Sequence, residues 1–261
     1  VAVEALEFCD VERDGRLLIV TIRRPEVMNA LHPPANQELA RVFDDFEKDP
    51  ELWIGIVTGA GDRAFSAGND LKFQAAGNRV PMPETGFAGL TSRFTLEKPL
   101  IAAVNGVAMG GGFEIALACD VIVAAENATF ALPEPRVGLA ALAGGMHRLP
   151  RKIGLARALP LMLTGRRFGA RDALAWGVAA EVVPAGEALK GARRWAEEML
   201  QCSPMALRAT KQCALSGLDE ANLQAAMNRS YPAVQALLRS DDFREGPRAF
   251  AEKRPPQWKG R

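Results

Sequence analysis

Histidine is scarce in this 261-residue chain: only His32 and His147 occur, too few to assemble a multi-histidine metal site. The cysteines Cys9, Cys119, Cys202 and Cys213 lack the short paired spacing of a zinc site and are expected to be reduced packing residues. A nucleophile elbow is missing too, because Ala64 stands where the glycine two residues before Ser66 would be needed. Long apolar runs are absent. The longest uncharged stretch, residues 99–113, is interrupted by Asn105 and four glycines and falls short of the roughly 18 apolar residues of a membrane span. The N-terminal segment carries Glu4, Glu7, Asp10 and Glu12 in place of a basic leader, so no secretory signal is expected and the protein is expected to be cytoplasmic. Net charge is nearly absent as well: 32 Lys and Arg against 31 Asp and Glu leave +1, which speaks against nucleic acid or an anionic membrane as a partner. Any anionic ligand must be held locally.

What is present is an ordinary globular composition, 48% hydrophobic and 24% charged, in a length that suits one large domain with an appendage. Apolar β-rich runs at residues 17–22, 53–57, 100–104 and 121–124, each bounded by Gly, Asn, Asp or Pro, read as buried strands. Between the first two, Ala35, Leu39, Val42, Phe43 and Phe46 recur at helical spacing, with Pro34 in the first turn. The alternation of strands and helices continues to about Val183 and predicts an α/β core with parallel pairing. Beyond Pro184 the pattern turns helical. Leu189, Trp195, Ala196, Met199 and Leu200 form one stripe, Ser203 and Pro204 open a second helix that Gly217 stops, and a further helical pattern from Asp219 breaks near Pro232. The division expected is a core over residues 1–194 and a helical region over 195–261, the latter packing on its own core or on a neighbouring subunit.

The segment KPLIAAVNGVAMGGGFEIALACD, residues 98–120, carries the chemistry: a strand, a turn, three glycines and a helix. Glycines at a helix start leave N–H groups open to a developing negative charge, and they equally permit close helix–strand packing; both readings stand at this point. A dinucleotide fingerprint fails at Ile115, and no Gly-Lys-Ser/Thr follows to make a P-loop. Glu114, in the first turn of the helix, either complements the helix dipole or works as a carboxylate; Glu134, flanked by Pro133 and Pro135, is either a solvated loop charge or its partner. Two carboxyls beside an apolar cleft can hold a water and divide acid and base duties, since burial and mutual repulsion separate their pKa values. AFSAGNDLK, residues 64–72, adds a glycine-centred turn whose N–H groups suit an anion and whose Lys72 suits a phosphate.

Together with RRPEVMNAL (residues 23–31) and LTGRRFGARDALAWGVAAEVV (163–183), these segments identify a chain that resembles the enoyl-CoA hydratase/isomerase (crotonase) superfamily over essentially its whole length. GFAGL (86–90), FALPEPRVG and the terminal EGPRAFAEKRPPQWKGR are narrower, and are similar to those members that act on crotonobetainyl- and carnitinyl-CoA. The resemblance implies an α/β fold built as a crotonase-like spiral of ββα turns, with a C-terminal helical trimerisation region and a homotrimer or a hexamer made of two trimers. It implies hydration of a 2-enoyl-CoA, an acyl-CoA thioester substrate and no metal or redox cofactor, coenzyme A being part of the substrate. By position, the backbone N–H groups of Asn69 and Gly111 match the oxyanion hole, and Glu114 and Glu134 match the two hydratase glutamates. Val27 and the turn Ala67, Asn69, Asp70, Leu71 and Lys72 match CoA contacts, with Lys253 reaching a neighbouring subunit's CoA. One departure stands out: Ala141 and Leu142 replace the family's usual Pro and Gly, leaving the Leu142 N–H to position water while its side chain crowds the acyl pocket.

Two other readings stand beside hydration: isomerisation of an enoyl-CoA or another crotonase-type reaction of a CoA thioester, and a non-catalytic scaffold. The family members the chain resembles that isomerise the enoyl double bond do so with a carboxylate at the Glu134 position and usually none at Glu114, so Glu114 argues against isomerisation. A non-catalytic CoA-binding or RNA-binding scaffold is opposed by both glutamates and by the near-zero charge. A quaternary ammonium substrate would favour an aromatic face; Phe87, Phe94, Phe113 and Trp176 are the candidates, with core packing as their default role.

Overall fold

The computed structural model describes residues 6–77 and 81–261; Glu4 of the acidic N-terminal segment lies outside them. The chain runs β1 (Cys9–Asp14), β2 (Leu17–Ile22), α1 (Pro33–Lys48), β3 (Ile54–Gly59), β4 (Ala64–Ser66), α2 (Leu71–Ala75), β5 (Leu100–Val104), β6 (Val107–Met109), α3 (Gly111–Ala118), β7 (Val121–Ala125) and β8 (Thr129–Ala131). It continues with α4 (Gly145–Ile153), α5 (Leu155–Thr164), β9 (Phe168–Gly169), α6 (Ala170–Ala175), β10 (Glu181–Val183), α7 (Ala188–Leu200), α8 (Pro204–Gly217), α9 (Leu223–Asn228), α10 (Pro232–Arg239) and α11 (Asp241–Ala251).

From β3 to β8, successive strands alternate between two sheets. One is ordered β1-β2-β3-β5-β7-β10 and the other β4-β6-β8-β9. β3, β5 and β7 pair in parallel in the first while β4, β6 and β8 pair in parallel in the second, so each ββα turn advances both sheets by one strand. This is the expected spiral.

The inner strands β2, β3, β5 and β7 of the first sheet are buried on both faces, which explains their continuous apolar runs. Leu18, Val20, Ile22, Leu100, Ala102 and Val104 face the core with Leu39, Phe43 and Phe46 of α1, whose N-cap is His32, its Nδ1 accepting the Ala35 N–H at 3.3 Å. The alternate residues Leu17, Ile19, Ile54, Ile56, Ile101 and Ala103 pack against Ala188, Ala192 and Ala196 of α7. Only small residues let α7 approach so closely; a Cβ on Gly191 would lie 2.8 Å from Val123 Cγ1. The boundary expected between residues 194 and 195 therefore falls inside a continuous helix that lies across β3, β5 and β7.

The helices beyond α7 follow the expected caps. Ser203 Oγ accepts the Ala206 N–H at the start of α8, and Pro232 opens α10. The basic terminus folds back on the molecule: Asp242 accepts the Lys259 N–H at 2.8 Å, and Trp258 Nε1 donates to Gln201 O at 2.8 Å.

Candidate active site

The site forms where three loops meet at one end of the strands. The turn after β4 holds Gly68 at φ +88, and a Cβ there would fall 2.6 Å from Met109 O and 2.8 Å from Gly111 N, so only glycine lets this turn touch the start of α3. In the turn, Ala67 N–H donates to Met28 O, Gly68 N–H to Ser66 Oγ and Asp70 N–H to Leu31 O. The N–H of Asn69 is the uncommitted donor of this turn among the described residues. It lies one residue from Gly68, against which the first N–H of α3, that of Gly111, is packed. Both readings of the glycine run thus apply, at different positions: Gly112 permits close packing against the Ser66 carbonyl, while Gly111 sits at the helix N-terminus with its N–H open.

Glu114 lies in the first turn of α3, 3% exposed. Its Oε1 accepts the Gly145 N–H at 2.8 Å, and the Ala143 N–H also faces it. Burial pushes its pKa up to about 7, the neighbouring Glu134 adds to the rise, and the two N–H groups together with Arg148 oppose it. Glu134 opens a short 3-10 turn, residues 134–137, after β8. Its Oε1 comes so near Gly110 that a Cβ there would lie 2.9 Å away, and its Oε2 is buried with no hydrogen-bond partner. Burial raises its pKa as well. Glu134 is therefore not a solvated loop charge. Glu114 feels the charge of Glu134, and both carboxyls are raised above the ordinary range. The donors on Glu114 favour its anion, and the orphaned oxygen of Glu134 favours its neutral acid.

The wall beside the pair comes from residues 86–94. Phe87 packs on Gly111, where a Cβ would lie 2.6 Å from the ring, and Ala88 N–H donates to the buried Asn36 Oδ1 at 2.6 Å. Arg148, in the second turn of α4, is half-buried and donates Nη2 to Thr91 O at 2.8 Å. The remaining aromatic candidates separate: Phe113 is core with Phe130 and Phe168, Trp176 packs on Phe168, and Phe94, 83% exposed, lies 5.8 Å from the Arg148 guanidinium.

One expectation is corrected. The Leu142 N–H is not open for water, because it donates to Ala140 O at 2.8 Å in a tight turn; without the glycine expected there, the loop closes on its own carbonyl. The Leu142 side chain is 82% exposed, whereas Ala141 is buried. The N–H groups that do face Glu114 come from Ala143 and Gly145. They and Arg148 were not singled out in the sequence, although Gly144-Gly145 before a helix repeats the glycine signal of residues 110–112.

Among the CoA candidates, Asp70 caps α2 through the Phe73 N–H and pairs with Arg24 at 3.1 Å. Burial opposes its charge, but these partners hold it below the usual carboxylate range. Ala67 and Val27 are half-buried, Asn69, Leu71 and Lys72 are exposed around the turn, and Lys253 lies in the C-terminal region just past α11. No cluster of three or more metal-ligating side chains occurs among the described residues, nor any helix long and apolar enough to cross a membrane.

Residues 12–261 match the family described as enoyl-CoA hydratase/isomerase. A carnitinyl-CoA dehydratase of Escherichia coli K12 is 44% identical over 98% of this chain and 99% of its own length. An enoyl-CoA hydratase of Mycobacterium tuberculosis superposes with a TM-score of 0.91 at 38% identity, covering 97% of this chain and 99% of that one. A carnitinyl-CoA hydratase of Mycobacterium avium gives 0.78 at 40% identity, over 98% of this chain and 100% of that one.

Proposed function

The chain belongs to the enoyl-CoA hydratase/isomerase family, and from that premise we propose that it adds water reversibly and syn across the C2–C3 double bond of a 2-enoyl-CoA. Crotonobetainyl-CoA, giving carnitinyl-CoA, is the substrate pair that its relatives' names favour. The observation that carries the reading is the buried pair Glu114 and Glu134 beside two open backbone donors.

The thioester carbonyl accepts from the N–H groups of Asn69 and Gly111, which act most strongly on the enolate oxygen as charge builds there, a contribution of about 2.7–4 kcal/mol for such a donor. A water bound between the carboxyls loses a proton to the Glu114 carboxylate as its oxygen bonds to C3. The electron pair of the double bond moves toward the carbonyl, and Glu134 delivers its proton to C2 on the same face. Glu114 then carries the proton and Glu134 the charge, and exchange of one proton between them restores the starting state. Dehydration runs through the same steps in reverse. The chemistry needs no redox or metal cofactor; coenzyme A belongs to the substrate.

Val27, Ala67, Asn69, Asp70, Leu71 and Lys72 form the proposed CoA contacts, with Asp70 acting by holding the turn and Lys253 serving a neighbouring subunit. The exposed Leu215, Leu218, Leu223 and Met227 of the C-terminal helices support a homotrimer, alone or paired as a hexamer. Incubation in D2O tests the reaction class. Hydration yields a product that has gained one water, with deuterium at C2 and hydroxyl at C3 on one face. A shifted double bond without added oxygen would instead establish isomerisation.

A further inference from the structure

Arg148 has the marks of a residue kept for more than packing. It is a half-buried cation, and among the described residues no carboxylate lies within ion-pair distance of it. Desolvating a guanidinium without an anionic partner costs free energy that packing alone does not explain. Its hydrogen bonds go to two backbone carbonyls on separate segments, Thr91 O at 2.8 Å and Ala143 O at 3.3 Å. Each of those segments leads to the site. Thr91 Oγ1 accepts the Phe87 N–H at 2.8 Å, and Phe87 is the ring packed on Gly111. Ala143 belongs to the loop whose Ala143 and Gly145 N–H groups face Glu114. Arg148 itself is packed so tightly on Gly144 that a Cβ there would meet its guanidinium.

We propose that Arg148 is a positioning residue for hydration, a clamp that fixes the Glu114 carboxylate and the Phe87 wall in one geometry by bridging the Thr91 and Ala143 carbonyls. The role rests on the hydratase reading above. The charge adds to the clamp: of the ionisable groups facing Glu114, Glu134 opposes its anion and Arg148 supports it, while Arg148 in turn faces Cys119 and Lys152 as well as Glu114.

The test compares Arg148→Gln and Arg148→Lys with wild type, measuring kcat and KM for an enoyl-CoA from pH 5.5 to 9 and thermal unfolding of each protein. Arg148→Gln is expected to move the acid limb of kcat/KM upward by roughly half to one pH unit, since the Glu114 anion loses the support of the Arg148 cation. It is also expected to lower kcat more than it raises KM. Arg148→Lys keeps the charge without the two-carbonyl fork, so its acid limb should stay at the wild-type position while kcat remains reduced. A merely structural residue would lower Tm and leave the limb in place. Wild-type kcat in Arg148→Lys, or an unmoved limb in folded Arg148→Gln, overturns the role of Arg148 alone. A wild-type enzyme that turns over no enoyl-CoA overturns the hydratase reading and this role with it.

Discussion

Gly68, in the turn after β4, and Gly111, the first residue of α3, meet so closely that a Cβ on Gly68 would lie 2.8 Å from the Gly111 nitrogen. This contact sets the separation of the Asn69 and Gly111 N–H groups. Gly68→Ala meets backbone on both sides at φ +88, and is expected to destabilise the protein by roughly 1–3 kcal/mol while lowering kcat well beyond any change in KM. Denaturant unfolding and steady-state hydration check the two effects separately.

The wall opposite depends on Asn36, which is fully buried. Its Oδ1 takes the Ala88 N–H at 2.6 Å and its Nδ2 donates to His32 O at 3.1 Å. Ala88 holds φ +54, a conformation that needs this support. Asn36→Ala leaves a buried donor unpaired, with an expected loss of about 1–3 kcal/mol. Because Phe87 precedes Ala88, kcat should fall too; unchanged kcat in a destabilised variant would separate the wall from the chemistry.

Glu114 links activity to stability with a definite sign. Its folded-state pKa of about 7 exceeds the ordinary 4.5, so the native protein holds a proton that the unfolded chain has released. The resulting stability is fully present below pH 4.5 and is lost as pH rises through 7, an effect of about 3 kcal/mol. Glu114→Gln keeps an acceptor for the Gly145 N–H and removes the buried charge. The variant should be more stable than wild type at pH 8, with a flatter stability profile between pH 4.5 and 7, measured by urea unfolding.

The C-terminal strap hangs on Asp242, which is buried and accepts from Ser203 Oγ at 2.8 Å as well as from the Lys259 and Gly260 N–H groups. Asp242→Ala is expected to cost about 1–3 kcal/mol and to expose the tail after Lys253 to trypsin. Hydration by the folded variant reports whether the tail matters to the site.

Much of the fold is legible in the sequence because it has a local cause. The strand at Leu100–Val104, helix α1 and the Ser203 cap follow from apolar runs, 3.6-residue spacing and an N-terminal acceptor. The two-residue strand β9 carries no periodicity, and the edge strand β1, with its exposed CDVERD, has no apolar run; neither is legible in the sequence. At the site, Glu114 and Glu134 were visible as residues but their burial was not, because Leu132, Gly110 and Gly145 enclose them only after folding. Arg148 was silent for the same reason: its partners are backbone carbonyls at positions 91 and 143. The Leu142 N–H differs from its expected role because residue types alone do not distinguish a free donor from one satisfied within its own turn.

The most direct measurement follows loss of the enoyl thioester absorbance with crotonyl-CoA and, in parallel, crotonobetainyl-CoA, using wild type, Glu114→Gln and Glu134→Gln. Wild type should consume at least one thioester. Each variant should lose about 100-fold or more of that rate while binding CoA with nearly unchanged affinity. Undiminished turnover in both variants would contradict the two-glutamate account.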